Sequence, residues 1–304
     1  MHCRGFFGTL SFWTEGWLSE AELHENPLMP NKKLRQMYLA MAEARVLDDH
    51  IVKLQRSSRR LRGLDSVRGQ EACRVSTVID LLPGDLVSDS QPGFVMDLLT
   101  GTKTNSLLER IAVLSSGKKA KKARTSGVSG CLLPWIDDPG ERLRMSMGTA
   151  LSFKVLGRPH VVVAYVSRGS VSKGDWRRIL SLASKLELPV IFVVLPSAKR
   201  QKTRDHENMS NEARRRGVPG IPVDSADAVA LYRVAQESLG RSRGGDGPVL
   251  IECLDFLKKT KGRDTASDPL VLLAESLIRR NICTKGWLEK TGNGLRRRIE
   301  ATGR

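Results

Sequence analysis

The apolar positions of this chain fall into two periods. Val161 to Val166 and Leu188 to Leu195 are short, β-branched apolar runs. Runs of that kind suit strands buried on two faces of a parallel sheet. Between them Trp176, Ile179, Leu180 and Ala183 recur at helical spacing, which makes one helix face apolar. Ser172, followed three residues later by Asp175, is a short capping box that starts this helix just after Ser172. Strand, helix and strand in this order form a right-handed crossover, and ligands of such sheets sit at the carboxyl ends of the strands. Ser167-Arg168-Gly169 lies at that end and is the first place to look for chemistry.

The same patterns extend over the rest of the chain. Residues 33 to 56 predict a long helix with Leu34, Met37, Tyr38, Met41, Leu47, Ile51 and Leu54 on one stripe. Residues 69 to 82 predict a second, with Ala72, Val75, Val78, Ile79 and Leu82 inward, ended by Pro83-Gly84-Asp85. A loop and short helix follow over 85 to 101, then a helix over 104 to 116. Residues 117 to 130 have no apolar face and read as a basic loop. Leu143 to Leu156 reads as a helix whose Met145, Gly148, Thr149 and Ser152 suit close packing. Residues 196 to 211 read as a polar loop without core positions. Then come a short strand from Val223, a helix over Ala226 to Leu239, a buried strand over Pro248 to Cys253, and two amphipathic helices after Asp268. The expected fold is α/β: one doubly wound, mostly parallel sheet with helices on both faces, over residues 33 to 304. Residues 1 to 32 are expected to be a poorly ordered extension.

Composition narrows the function classes. With 304 residues and 40% hydrophobic content, the chain can bury a sizeable core. No apolar run approaches the ~20 residues that cross a bilayer, so no membrane contact and a cytoplasmic setting are expected. Five scattered cysteines read as reduced thiols, and five unclustered histidines make a zinc site unexpected. The net charge of +17 favours acidic partners. Its basic clumps are Arg56 to Arg62, Lys118 to Arg124, Lys199 to Arg204, Arg214 to Arg216 and Arg296 to Arg298. No aromatics interleave Lys118 to Arg124, so base stacking is unsupported there, while phosphate neutralisation is allowed.

Several runs, in order, carry a resemblance: LRQMYLAMAEARVLDDHIVKL, RGQEA, LLPGD, SMGTALSFKVLG, LELPVIFVV, VPGIPVDSAD, GPVLIE and the DPL that begins at Asp268. Over roughly residues 33 to 300 the chain resembles the alpha subunit of thiamine-diphosphate-dependent 2-oxo acid dehydrogenases, the decarboxylating components of the pyruvate and branched-chain complexes. The resemblance implies the thiamine-diphosphate-binding fold, thiamine diphosphate and magnesium as cofactors, and a beta-type subunit as partner. It also implies a Gly-Asp-Gly turn with an Asn four residues beyond the Asp, and a second Asn past the next strand. Magnesium would then be held on the diphosphate by hard oxygen ligands.

At these positions the chain departs from the pattern. Arg168 stands in place of the acidic ligand, beside Gly169; Ser172 stands in place of the first Asn and Ser197 in place of the second. A guanidinium cannot be neutralised and would repel the metal. Gln91, Pro92 and Phe94 replace the aromatic or His residue, the Arg and the His that the resemblance implies, and Leu257 with Thr260-Lys261-Gly262 replaces the late Arg and Gly-His-Ser run. Gly245-Asp246-Gly247 spells the motif, but Pro248 and a strand follow it, so it reads as a turn. Arg68 and Glu71 are expected to pair along one helix face.

Three functions follow as expectations. The first is a degenerate alpha-type subunit that keeps its fold and a partner surface (a beta-type subunit or self-association) and has no catalytic or metal-binding residues. Its Arg168, Gly169, Ser172 and Ser197 form at most an anion site. The second is an active oxidoreductase subunit acting on the oxo group of a 2-oxo acid with a beta-type partner. The third is a polyanion binder that works through the basic loops.

Overall fold

The computed structural model describes residues 29–58, 61, 64–116, 130–196, 208–255, 257–260 and 263–302. Helix α1 (Asn31–Gln55) leads, followed by α2 (Glu71–Val78), β1 (Leu86–Ser88), α3 (Val95–Leu99), α4 (Thr104–Ser116) and α5 (Pro139–Val155). The central unit is β2 (Val162–Ser167), α6 (Lys173–Lys185) and β3 (Val190–Leu195). Then come α7 (Met209–Arg215), β4 (Gly220–Asp224), α8 (Ala228–Arg243), β5 (Val249–Leu254), the hairpin β6 (Leu257–Thr260) and β7 (Arg263–Ala266), α9 (Pro269–Arg279) and α10 (Lys285–Thr302).

Five strands form one sheet in the order β1-β2-β3-β5-β4, and every neighbouring pair is parallel. Side chains of a strand alternate between faces, and here both faces are apolar. Val161, Val163, Tyr165, Ile191, Val193 and Leu195 join one core with α1, α2, α8 and α9. Val162, Ala164, Val166, Val190, Phe192 and Val194 join the other with α5, α6 and α7. A third cluster lies away from the sheet and gathers the second half of α1 with α3, α4 and α10. The doubly wound α/β expectation therefore holds.

Helix α6 begins where its capping box places it. The Ser172 Oγ accepts from the Asp175 amide at 3.1 Å and donates to the Asp175 carboxylate at 2.6 Å. That carboxyl titrates below its ordinary range because of Ser172 and Arg178.

Several local expectations are corrected. β1 falls in a stretch read as loop; three residues are too few to show a period. The second helix stops at Val78 rather than Leu82, and Leu82 is exposed. Its chain is turned there by Asp85, whose carboxylate accepts from the Leu82 and Val161 amides and pairs with Arg243 at 2.7 Å. Residues 208–211 are not coreless: Met209 and Ser210 are buried at the start of α7. The stretch between Leu257 and Asp268 is a hairpin. His50 of α1 is half-buried, and burial lowers its pKa. Gly148 and Ser152 of α5 are exposed, and among the described residues nothing lies within 4 Å of a Cβ placed on Gly148. The extension expected over 1–32 ends earlier, because Met29 is buried in the first core and α1 starts at Asn31; residues 1–28, Ser197 and residues 117–129 of the basic loop lie outside the described residues.

Candidate functional site

The carboxyl ends of β1, β2, β3 and β5 form one edge of the sheet. Strand β2 leaves it through Ser167-Arg168-Gly169, and the Arg168 amide continues the ladder by donating to the Leu195 carbonyl at 3.0 Å. Gly169 then turns the chain at φ +77°, a left-handed value that glycine adopts without a Cβ penalty. This turn aims the Arg168 side chain across the end of β3. There its Nη1 lies 2.8 Å from Oε1 of Glu252, near the end of β5.

Glu252 is 1% exposed, and an unpaired carboxylate at that depth would be costly. It is fully engaged. Oε1 accepts from the Met209 amide at 3.1 Å, and Oε2 accepts from the Ser210 amide at 2.8 Å and the Ser210 hydroxyl at 2.6 Å. Burial works against its charge, but Ser210 and Arg168 outweigh it and hold the Glu252 carboxyl below the usual carboxylate range. Glu252 thus joins the ends of β2 and β5 to the start of α7.

Guanidinium groups also fill the edge at β1. Arg74, fully buried on α2, donates from Nη1 to Asp89 at 2.6 Å and from Nη2 to the Ser90 hydroxyl at 3.1 Å, and lies over the Tyr165 ring. Arg142 of α5 donates to the Ser90 carbonyl at 3.1 Å and to the Ile136 carbonyl at 2.5 Å, and stacks on Trp135 at 4.1 Å. Nearby, Gln91 donates to the Asp65 carbonyl and Phe94 is buried beneath Arg110. Neither faces the Arg168 turn through any of these contacts.

The structure brings Arg168, Gly169 and Ser172 to one turn, as expected. Ser172 is occupied with Asp175. Glu252 is one acidic letter in VLIECL and is not among the residues that the sequence pattern singles out. A lone carboxylate in an otherwise apolar strand is itself a signal, because it demands a buried partner. The expected Arg68–Glu71 pair does not form, since α2 starts only at Glu71. Arg68 pairs with Asp49 at 2.9 Å, and Glu71 pairs with Arg45, which also reaches Asp268 at 2.7 Å. Gly245-Asp246-Gly247 is a turn as expected, at the amino end of β5 and so at the opposite edge of the sheet.

The described residues of this donor set do not suit magnesium on a diphosphate. Such an ion needs several free hard oxygens. The turn presents a cation, a committed hydroxyl, and a carboxylate whose two oxygens already accept from protein donors. Among the described residues no group of three or more His, Cys, Asp or Glu could hold a metal. No helix there is long and apolar enough to cross a membrane, and none of the four described cysteines is in a disulfide.

Comparison with known proteins identifies relatives of the chain. The model of the family described as "Dehydrogenase E1 component" matches residues 38–257. The 3-methyl-2-oxobutanoate dehydrogenase subunit alpha of Mycobacterium tuberculosis is 28% identical over 261 residues, 79% of this chain and 65% of its own length. The pyruvate dehydrogenase E1 component subunit alpha of Acholeplasma laidlawii is 26% identical over 248 residues, 80% of this chain and 69% of its own. That of Staphylococcus aureus is 28% identical over 235 residues, 76% and 62%. The chain thus spans under two thirds of the length of the first relative.

Proposed function

The chain belongs to the dehydrogenase E1 component family, and on that premise we propose that it is an alpha-type subunit that keeps the fold but no longer holds magnesium and thiamine diphosphate in the usual way. The single observation that carries this reading is the Arg168–Glu252 ion pair at 2.8 Å. It puts a permanent cation where the family resemblance calls for an acidic metal ligand. A divalent ion beside that guanidinium would be repelled by several kcal/mol, roughly, at an effective dielectric near 20.

When bound, thiamine diphosphate supplies the carbanion chemistry of the family, and the protein positions it. In our reading this chain binds neither it nor magnesium, and none of its residues is catalytic. Arg168, Gly169 and Ser172, with Ser197, remain at most an anion site. Any anion there competes with Glu252 for Arg168. Residues 29–304 act as one α/β domain with C-terminal helices, since Met29 is buried in its core and α1 starts at Asn31, and an extension precedes it. The partner is a beta-type subunit or a second copy, and the setting is the cytoplasm, where thiols stay reduced.

A second reading is favoured by the similarity to dehydrogenase alpha subunits: an active oxidoreductase subunit that acts with a beta-type partner on the oxo group of a 2-oxo acid, using another cofactor ligation. Polyanion binding by the basic segments is a third, supported by the charge of +17.

Thermal unfolding separates the first two. The midpoint is expected to be the same with thiamine diphosphate plus magnesium as with chelator. A rise that needs both cofactor and metal would favour the active subunit.

A further inference from the structure

The second half of α1 and the second half of α10 meet over the third core cluster and leave a cavity of about 490 Å³ between them. Small-molecule sites have volumes of roughly 300–1,000 Å³. Val46, Val52 and Ile299 supply an apolar part of the lining, and Ile299 is fully buried. The rest of the described lining is polar: Asp49, His50, Lys53, Arg56, Arg296 and Glu300. Arg56 opens the first basic clump of the sequence and Arg296 the last, so folding brings the two ends of the charge pattern to one cavity.

The charges of that lining do not cancel. Asp49 is paired at 2.9 Å with Arg68, which does not line the cavity, and Glu300 is paired with Lys53 at 3.6 Å. Arg56 and Arg296 have no hydrogen-bond, ion-pair or ring partner among the described residues. Two guanidiniums are thus left over beside an apolar wall. Charge of one sign in a cleft concentrates ions of the other.

The ligand chemistry follows from that excess. A phosphate monoester carries about −1.5 to −2 charges at neutral pH and three acceptor oxygens. Guanidinium forks bind such oxygens bidentately. The neutral imidazole of His50 can add one donor. A monocarboxylate would balance only one of the two arginines, and a neutral molecule neither. A nucleic-acid strand is held by stacking on aromatic side chains, and His50 is the one ring in the described lining.

We propose that the α1–α10 cavity binds a small organic phosphate monoester, with Arg56 and Arg296 on the phosphate and the ester's aliphatic body against Val46, Val52 and Ile299. The site shares no residue with the Arg168 turn, so it stands whether or not thiamine diphosphate binds.

The test is calorimetric titration of the full chain with butyl phosphate, without thiamine diphosphate or magnesium. One saturable site is expected. Inorganic phosphate, which lacks the aliphatic body, is expected to bind about tenfold weaker, and pentanoate, with a single charge, about tenfold weaker as well. Arg56→Gln and Arg296→Gln are each expected to weaken butyl phosphate about tenfold or more. Arg279→Gln, the same charge change on exposed α9, leaves it unchanged. Both cavity arginines are exposed, and circular dichroism of each variant confirms that it folds. Absence of a saturable site would overturn the proposal, as would binding that survives Arg56→Gln and Arg296→Gln or weakens equally in Arg279→Gln. Inorganic phosphate or pentanoate binding as tightly as butyl phosphate would also overturn it, and so would an oligonucleotide that displaces butyl phosphate at a lower concentration.

Discussion

The Arg168 guanidinium reaches across the end of β3 and lies 2.8 Å from the Glu252 carboxylate, so residues at the ends of β2 and β5 are joined by charge. Because Glu252 is almost wholly buried, the two partners are not equivalent. Glu252→Ala strands the guanidinium together with the Ser210 and Met209 donors, and is expected to cost about 3–5 kcal/mol. Arg168→Met leaves Glu252 with its donors from Met209 and Ser210 and is expected to cost about 1–3 kcal/mol. Urea unfolding of both single variants and the double variant measures this. The double variant is expected to lose less than the two singles together, because the groups are in contact.

Acid should release the same pair. The Glu252 carboxyl is held below its ordinary value in the folded state, so the native protein binds fewer protons than the unfolded chain in that window. Its stabilisation is complete above the unfolded value of about 4.3 and is lost as pH falls through the lower folded value. Asp268 is also held low, its burial outweighed by Arg45, and contributes in the same direction. The difference between wild type and Glu252→Gln isolates Glu252. Unfolding free energies of the two are expected to converge as pH falls below about 4.

A buried ion pair and an exposed one should behave oppositely at the start of α2. Arg45 is 8% exposed and donates to Glu71 and Asp268. Glu71→Ala is expected to destabilise by about 3–5 kcal/mol. Arg68 and Asp49 are both half in solvent, and Arg68→Ala is expected to stay within about 0.5 kcal/mol of wild type. Chemical denaturation of the two variants checks the contrast.

Ser172→Ala removes the cap of α6 and is expected to cost about 1 kcal/mol. Since Ser172 does not touch Arg168 or Glu252, this loss should add to that of Arg168→Met, which a double variant tests.

Most of the fold was legible because it rests on local periods. The central strands carry unbroken apolar runs, and α6 carries a stripe together with its own start signal at Ser172. The site was half legible. Arg168 stands out because it sits in a turn where the family resemblance calls for a carboxylate. Glu252 does not, because its meaning depends on strand order: β3 and β5 must be neighbours before the end of β5 can face the end of β2. The burial of Ser210 was hidden for the same reason. Its polar sequence context looks like a loop, and only the contact with Glu252 explains it. A continuous helix would set Arg68 and Glu71 on one face, but the turn at Gly69 breaks it.

Calorimetric titration of the purified chain with thiamine diphosphate, with magnesium and again with chelator, tests the displacement of the metal site most directly. If Arg168 and Glu252 have taken that place, no saturable heat that depends on magnesium will be seen. Stoichiometric binding that requires magnesium and disappears with chelator would contradict it.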